Sequence, residues 1–123
     1  MIDQRRAEDF AREWVEAWNA HDLDRIMAHY DDDDVVFTSP FVAEVTGGAD
    51  GTIEGAASLR PYFTAALARS PDLHFADVSV LVGASSVCLL YRTVRGLRAA
   101  EVMVVDEGRV RRVYAHYAPA AGS

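Results

Sequence analysis

A chain of 123 residues, half of them apolar, is long enough for one domain with a substantial core. Nineteen acidic residues against twelve basic ones give a net charge of −7, and this acidic field excludes a nucleic-acid backbone as the expected partner. No run of about 18 apolar residues is present and no apolar stretch follows Arg5-Arg6, so we expect no membrane partner, no secretory signal and a cytoplasmic location.

The first 30 residues have the periodicity of two helices. In the first, apolar side chains recur at three- and four-residue steps, at Ala7, Phe10, Trp14 and Trp18. Asn19-Ala20-His21 ends this helix, and Asp22 caps a second, shorter one. The apolar stripe of the second helix is Leu23, Ile26, Met27 and Tyr30. The acidic run 31–34 lacks the alternating ligands of a calcium loop, so we expect a solvated loop there.

A strand and a third helix are predicted in the middle of the chain. β-branched and aromatic residues at 35–39 indicate a strand, which Pro40 should end or place at a sheet edge. Residues 41–54 are predicted to be a loop because glycines are concentrated there. Helical periodicity resumes after Gly55, and Pro61 fits only if the first hydrogen-bonded turn begins near Ser58.

The remainder of the chain is predicted to be a meander of four strands. The apolar-rich segments are 73–82, 87–94, 97–105 and 110–118. Turns this short join antiparallel neighbours, and helices followed by an antiparallel sheet give an α+β fold. We expect a single domain over 1–118 and a disordered tail over 119–123. Apolar residues do not alternate with polar ones in 102–105, so both sheet faces should be covered, one of them by a second copy in a homodimer.

Four segments of the sequence resemble SnoaL-like proteins of the nuclear-transport-factor-like superfamily. They are 17–24 (AWNAHDLD), 29–33 (HYDDD), 53–55 (IEG) and the closing strand 110–117. The resemblance covers essentially the whole chain. It implies a cone-shaped, cystatin-like fold in which three N-terminal helices pack on a curved antiparallel sheet around a cavity, commonly as a dimer. The superfamily includes isomerases, cyclases, hydrolases and binding proteins, so the fold alone does not choose a function.

The resemblance extends to the ketosteroid isomerases of this superfamily, but most of their catalytic residues are replaced by other residue types in this sequence. Ser39 stands at the position of the general-base aspartate, before Pro40. Trp14 stands at the oxyanion-hole tyrosine, Phe63 at a supporting tyrosine and Glu101 at the aspartate that is kept protonated. Without a carboxylate at residue 39, proton shuttling of the isomerase type is not expected.

Glu101 is the candidate catalytic residue, because it is an acid within an apolar run. If Arg95-Gly96 is a two-residue turn, Leu90 lies opposite Glu101 and Arg92 is its diagonal neighbour on the same face. Two interpretations stay open. In the first, Glu101 is structural: it pairs with Arg92 or is exposed at an edge. In the second, it is an acid or hydrogen-bond donor directed at a ligand.

Candidate ligand-binding residues are mainly aromatic, since in this fold an aromatic core is also the cavity wall. They are Trp14, Trp18, Tyr30, Ser39, Tyr62, Arg92 and Tyr117. Alternation in the last strand places Tyr117 and His116 on opposite faces, and the family resemblance implies that Tyr117 faces the cavity; a register shift of one residue would exchange them.

No cofactor or metal is expected. The four histidines form no H-x-x-x-H pattern, and no glycine-rich phosphate loop is present. The lone Cys88 excludes an intrachain disulfide and fits a buried thiol. We therefore expect a protein that binds a small hydrophobic ligand of unknown identity in an apolar, aromatic-lined cavity. The alternative is an isomerase, cyclase or hydrolase in which Glu101 is the acid or base.

Overall fold

The computed structural model describes residues 2–46 and 50–119, which form four α-helices and one six-stranded mixed sheet. The helices are α1 (Gln4–Asn19), α2 (Leu23–Met27), α3 (Pro40–Thr46) and α4 (Ala56–Arg69). The strands are β1 (Val36–Thr38), β2 (Thr52–Glu54), β3 (Ala76–Val82), β4 (Ser86–Arg92), β5 (Arg98–Asp106) and β6 (Arg109–Ala118). The α+β class is confirmed. Of the predicted tail, only Pro119 lies within the described residues.

The two N-terminal helices begin where the capping residues predict. The Asp3 side chain accepts a hydrogen bond from the backbone N–H of Arg6, and Asp22 accepts one from that of Arg25. The apolar face of α1 is buried through Ala7, Ala11, Trp14, Ala17 and Trp18. The second helix ends earlier than its apolar stripe suggests, because Tyr30 already forms a bridge with Val110 of β6.

The prediction of a loop over 41–54 was wrong for most of that segment. Pro40 begins the short helix α3, where its fixed φ and missing N–H are tolerated, and Thr52–Glu54 pairs antiparallel with β1. Residues 47–49 lie outside the described residues. The chain therefore has a fourth helix beyond the three expected. At seven residues, α3 is too short to give a clear periodic pattern.

Pro61 lies inside α4 and not in its first turn. The helix begins at Ala56, directly after Gly55, which caps it at a φ of 83°. The predicted start after Gly55 is confirmed, whereas the condition for Pro61, a first hydrogen-bonded turn near Ser58, is not met. Pro61 provides no N–H for the carbonyl of Ala57, so α4 lacks one internal hydrogen bond, and the ring lies on the exposed side of the helix.

The sheet has the strand order β2-β1-β6-β5-β4-β3. The predicted meander of β3 to β6 is confirmed, since each of these strands pairs antiparallel with the next. The pair between β1 and β6 is parallel, however, so the sheet is mixed and not purely antiparallel. This pairing connects the middle of the chain to its last strand and places Phe37 beside Val113.

The register between β4 and β5 differs from the prediction by one residue. The connection includes a 3-10 turn at Val94–Gly96, and Thr93 bonds to Leu97 across it, so the turn is longer than two residues. Leu89 therefore lies opposite Glu101, and Arg92 lies opposite Arg98. Because side chains alternate between faces, this shift moves Arg92 to the face opposite Glu101.

The face of the sheet that carries the core packs against the helices, and we call it the inner face. Its buried residues include Leu89, Tyr91, Met103 and Val113, which form one cluster with Trp14 of α1. Among the described residues, the buried polar or charged ones are Ser39 and Glu101. No helix in the described ranges is long and apolar enough to cross a bilayer.

Candidate functional site

A cavity of about 720 Å³ lies between the inner face of the sheet and helices α1, α3 and α4. Its walls come from seven helices and strands and from the loops between them, and aromatic side chains are prominent in them. They include Trp18 of α1, Phe41 of α3, Tyr62 and Phe63 of α4, Tyr91 of β4 and Tyr117 of β6. The rings contact one another, as Phe41 and Tyr117 do with centroids 4.5 Å apart. Side chains with few rotatable bonds thus form the wall.

Glu101 of β5 also lines this cavity, and its side chain is almost fully buried at 4% exposure. The Tyr91 hydroxyl donates a hydrogen bond to its Oε1. Its Oε2 has no hydrogen-bond partner within the described part of the chain. Burial raises the pKa of Glu101 to about 7, and the hydrogen bond from Tyr91 opposes part of that rise. Glu101 is therefore present in both protonation states near neutral pH.

Three phenols around Glu101 remain protonated. Burial and the charge of Glu101 raise the pKa of Tyr62 to about 12. The same two causes raise the pKa values of Tyr91 and Tyr117 well above that of a free phenol. These hydroxyls are thus available only as neutral donors and acceptors near Glu101. The cavity contains one acid that titrates near neutral pH among hydroxyls that do not.

Ser39 lies behind the cavity wall, between two of these phenols. Its hydroxyl accepts a hydrogen bond from the backbone N–H of Phe41 over 3.2 Å. Hydrogen bonding to Ser39 also holds the pKa values of Tyr62 and Tyr117 below what burial alone would give. Ser39 is 2% exposed and is absent from the lining residues of the cavity. Its position supports the two tyrosines.

Trp14 and Tyr30 lie deeper still and do not line the cavity. The Trp14 indole N–H donates to the Tyr30 hydroxyl over 3.1 Å, and the Trp18 indole is turned towards the same hydroxyl. Trp14 stacks on Phe75, with centroids 5.2 Å apart. The indole N–H of Trp14 therefore points into the core. Of the two tryptophans, Trp18 lines the cavity and Trp14 does not.

Arg92, predicted to pair with Glu101 and to be a ligand-binding residue, does not pair with Glu101 and is not among the residues that line the cavity. Its Nε lies 3.3 Å from Asp77 Oδ2, and both side chains are exposed. The physical reason is the longer turn between β4 and β5, which turns Arg92 to the outer face. Glu101 consequently has no salt bridge with any described residue.

The structure brings together Glu101, Trp18, Tyr62 and Tyr117 of the residues chosen from the sequence. Tyr117 lies on the inner face opposite Ala99, and His116 points outward. Sequence reasoning missed Tyr91, the direct partner of Glu101. The sequence signal was weak, because Val87, Leu89 and Tyr91 share the buried face but the residues between them, Cys88 and Leu90, are also apolar.

Apart from Glu101, the ionisable acidic and basic side chains that line the cavity are exposed and lie where it opens. Its mouth includes Glu44, Arg69, Asp72, His74 and Arg95. Within the described ranges, no three side chains of His, Cys, Asp or Glu come together in a way that would hold a metal ion. Cys88 is half-buried on the outer face, and burial raises its pKa. The chemistry available inside the cavity is thus hydrogen bonding, proton exchange at Glu101 and contact with aromatic rings.

Known proteins share this architecture. A SnoaL-like protein of unknown function from Burkholderia thailandensis is 40% identical, with a TM-score of 0.89 over 96% of this chain and 99% of that one. A putative ketosteroid isomerase from Kribbella flavida is 19% identical, with a TM-score of 0.71 over 95% and 81%. A putative polyketide cyclase from Sinorhizobium meliloti is 13% identical, with a TM-score of 0.72 over 88% and 94%. No curated protein matches the chain.

The two more distant structures are similar in fold alone, since their identities are low. The family model of the SnoaL-like domain matches residues 11–117, which include every element from α1 to β6 in whole or in part. Together with the 40% identical structure, this match leads to one conclusion. The chain belongs to the SnoaL-like family.

Proposed function

We propose that this protein binds a small, largely apolar organic molecule in the cavity, with Glu101 contacting the polar end of that molecule. One observation carries the proposal: Glu101 is buried among aromatic rings, and its Oε2 has no partner among the described residues. A buried polar oxygen without a hydrogen bond is costly, and a ligand group that bonds to it offsets this cost.

The dimensions and chemistry of the cavity agree with this function. Ligand pockets usually measure about 300–1,000 Å³ and combine apolar walls with a few polar groups. Here the volume is about 720 Å³, and the inner polar groups are Glu101 and the hydroxyls of Tyr62, Tyr91 and Tyr117. A molecule of two or three fused rings, or of similar size, fits this description.

The test is binding of the neutral fluorophore prodan to wild-type protein and to two variants of α4. Ala66 lines the cavity, whereas Ala68 is exposed on the same helix. We expect Ala66→Trp to fill the cavity and weaken prodan binding at least tenfold, and Ala68→Trp to leave it unchanged. Fluorescence titration measures both. Equal binding by the two variants would place the dye outside the cavity and contradict the proposal.

Catalysis is the second candidate, and the pKa of Glu101 is the observation that favours it. A carboxyl group with a pKa of about 7 can both donate and accept a proton near neutral pH, as a general acid or base must. Relatives in fold include a putative polyketide cyclase and a putative ketosteroid isomerase. The enzyme would be an isomerase, cyclase or hydrolase acting on a small hydrophobic substrate. Glu101 would then be its catalytic residue.

Proton transfer can be detected without knowing the product. Apolar carbonyl compounds are incubated with the protein in D₂O and analysed by mass spectrometry. We expect wild-type protein to incorporate deuterium beside a carbonyl or to alter a compound, and Glu101→Gln to do neither. If every compound returns unlabelled and unchanged from wild-type protein, the enzyme candidate is rejected and binding alone remains.

The outer face of the sheet favours a second copy of the chain as a protein partner. Apolar side chains lie side by side across four strands, because Leu81 pairs with Cys88, Cys88 with Val102, and Val102 with Tyr114. Leu81 is 58% exposed and Tyr114 is 45% exposed. A patch that pairs with its own copy about a two-fold axis would cover this row on both chains. We therefore propose a homodimer that forms through this row.

A further inference from the structure

Glu101 is the one carboxylate within the cavity interior described above, and no basic side chain faces it. Every arginine of the chain lies in the described residues, and none lowers the pKa of Glu101. The groups that face Glu101 from the neighbouring elements are phenols: Tyr91 from β4, Tyr117 from β6, Tyr62 from α4 and Tyr30 after α2. When Glu101 is ionised, its charge is thus unpaired in the absence of ligand.

We propose that the ligand is an organic cation, an amine carried on an apolar body, whose ammonium group pairs with Oε2 of Glu101 inside the aromatic wall. This inference rests on the proposed binding function and narrows it to one class of ligand. The carboxylate provides the counter-charge that the amine requires, and the amine provides the partner that Oε2 lacks.

The aromatic wall adds a second attraction for a cation. Phe41, Tyr62, Phe63, Tyr91 and Tyr117 all line the same space as Glu101. The faces of aromatic rings carry negative potential and attract ammonium groups, most strongly where water is excluded. An anionic ligand meets the opposite situation, since both the rings and the ionised carboxylate repel it. An aromatic wall with a buried acid therefore discriminates by the charge of the ligand.

The charge of the whole molecule acts in the same direction. The net charge of −7 raises the local concentration of cations near the protein. At the mouth, Arg69 and Arg95 are accompanied by the acidic residues Glu44 and Asp72. The positive and negative charges of the mouth thus balance in number, so the mouth gives no net preference for an anion.

A neutral ligand provides the competing arrangement, and pH separates the two. A carbonyl oxygen would accept a hydrogen bond from protonated Glu101, so its binding would strengthen as the pH falls. An ammonium group pairs with ionised Glu101, so its binding weakens as the pH falls below the pKa of that group. Because His74 also lies at the mouth of the cavity, the Glu101→Gln variant is required to assign the pH dependence to Glu101.

The experiment compares three matched probes by calorimetry: 2-(2-naphthyl)ethylamine, 2-(2-naphthyl)ethanol and 2-naphthylacetate. With wild-type protein at pH 8, we expect the amine to bind at least tenfold more tightly than the alcohol, and the acid to bind most weakly. Between pH 8 and pH 6 the amine should lose roughly tenfold in affinity as Glu101 becomes protonated. Glu101→Gln should remove both the preference for the amine and its pH dependence.

The matched control is Glu8→Gln, which changes the net charge equally at an exposed position on α1. It should keep the preference and the pH dependence. Binding of the alcohol to Glu101→Gln shows that the cavity still forms in that variant. If wild-type protein binds the alcohol as tightly as the amine, or more tightly at low pH, the cation proposal is overturned while the binding function stands. If none of the three probes binds, both are overturned.

Discussion

Glu101 is held in an environment that favours its protonated form. Its side chain is 4% exposed, and the hydrogen bond from Tyr91 stabilises one of its two oxygens. The pKa of about 7 shows that burial outweighs that hydrogen bond. A buried acid with a raised pKa and no oppositely charged partner is a candidate functional group, because a glutamine of the same shape would avoid the cost of the charge.

The first prediction concerns the pH dependence of stability. Glu101 has a raised pKa in the folded protein, so its contribution to stability is fully present below its unfolded value of 4.5 and is lost as the pH rises through about 7. We expect a loss of roughly 3 kcal/mol from this group over that range. In Glu101→Gln, denaturant unfolding at a series of pH values should lack this decrease.

The control for this prediction is Glu8→Gln, which removes an exposed carboxylate and should retain the wild-type decrease in unfolding free energy. If the difference between wild-type protein and Glu101→Gln stays constant from pH 4 to pH 8, Glu101 does not have the raised pKa described. That outcome would also weaken the case for its role as an acid or base.

At the scale of single elements, the antiparallel pairing of β1 with β2 determines where Ser39 lies. Ser39 donates its backbone N–H to the carbonyl of Gly51 over 3.0 Å. Gly51 has a φ of 65°, and a Cβ at this position would lie 2.8 Å from the carbonyl oxygen of Ser39. Only glycine fits here, because the φ is positive and because the backbones of Gly51 and Ser39 approach each other closely.

The second prediction is that Gly51→Ala destabilises the protein more than Gly108→Ala does. Gly108 has a φ of 78° with nothing within 4 Å of a Cβ, so alanine there costs only the conformational strain of about 1–2 kcal/mol. At Gly51 the clash with a backbone oxygen adds to the same strain, and we expect a further loss of about 1 kcal/mol or more. Thermal and denaturant unfolding measure the difference. Equal losses of unfolding free energy would show that the backbone around Ser39 and Gly51 moves to accommodate the Cβ without cost.

The hairpin of β4 and β5 shows how one local feature decides a functional assignment. Arg95 has a φ of 56° within the turn, a conformation that is unusual for arginine and that local sequence patterns do not predict. The unusual acid at Glu101 was visible in the sequence, whereas the apolar run 87–91 did not show which residues of β4 face the core. Which residues face each other depended on the turn length, and an error of one residue transferred Arg92 to the wrong face.

At the scale of the whole molecule, the helices cover the inner face of the sheet and leave its outer face uncovered. Its exposed apolar residues include Leu81, Leu90 and Tyr114. The sequence predicted that this face would be covered, since 102–105 does not alternate. Stable interfaces bury about 1,200–2,000 Å² in total, which the outer surface of four strands is large enough to provide.

The third prediction is that the wild-type protein is a dimer and that Leu81→Glu makes it monomeric. Leu81 lies at the β3 end of the apolar row, and a charge there must be buried without a partner when the two copies associate, which strongly opposes association. Light scattering coupled to gel filtration should give twice the chain mass of 13.5 kDa for wild-type protein and the chain mass for the variant. Ala68→Glu, on the exposed side of α4, should remain dimeric. A wild-type monomer at all concentrations would contradict the proposed dimer.

The sequence by itself determined the class of the fold, the helices α1, α2 and α4, and the four-strand meander, because these depend on local periodicity and capping. It also singled out Glu101, since an acid in an apolar run is visible without a structure. Only the tertiary structure decided that β1 pairs in parallel with β6, that Tyr91 is the partner of Glu101 and that Arg92 points away. These facts depend on contacts between residues distant in sequence and on turn length, which local patterns do not encode.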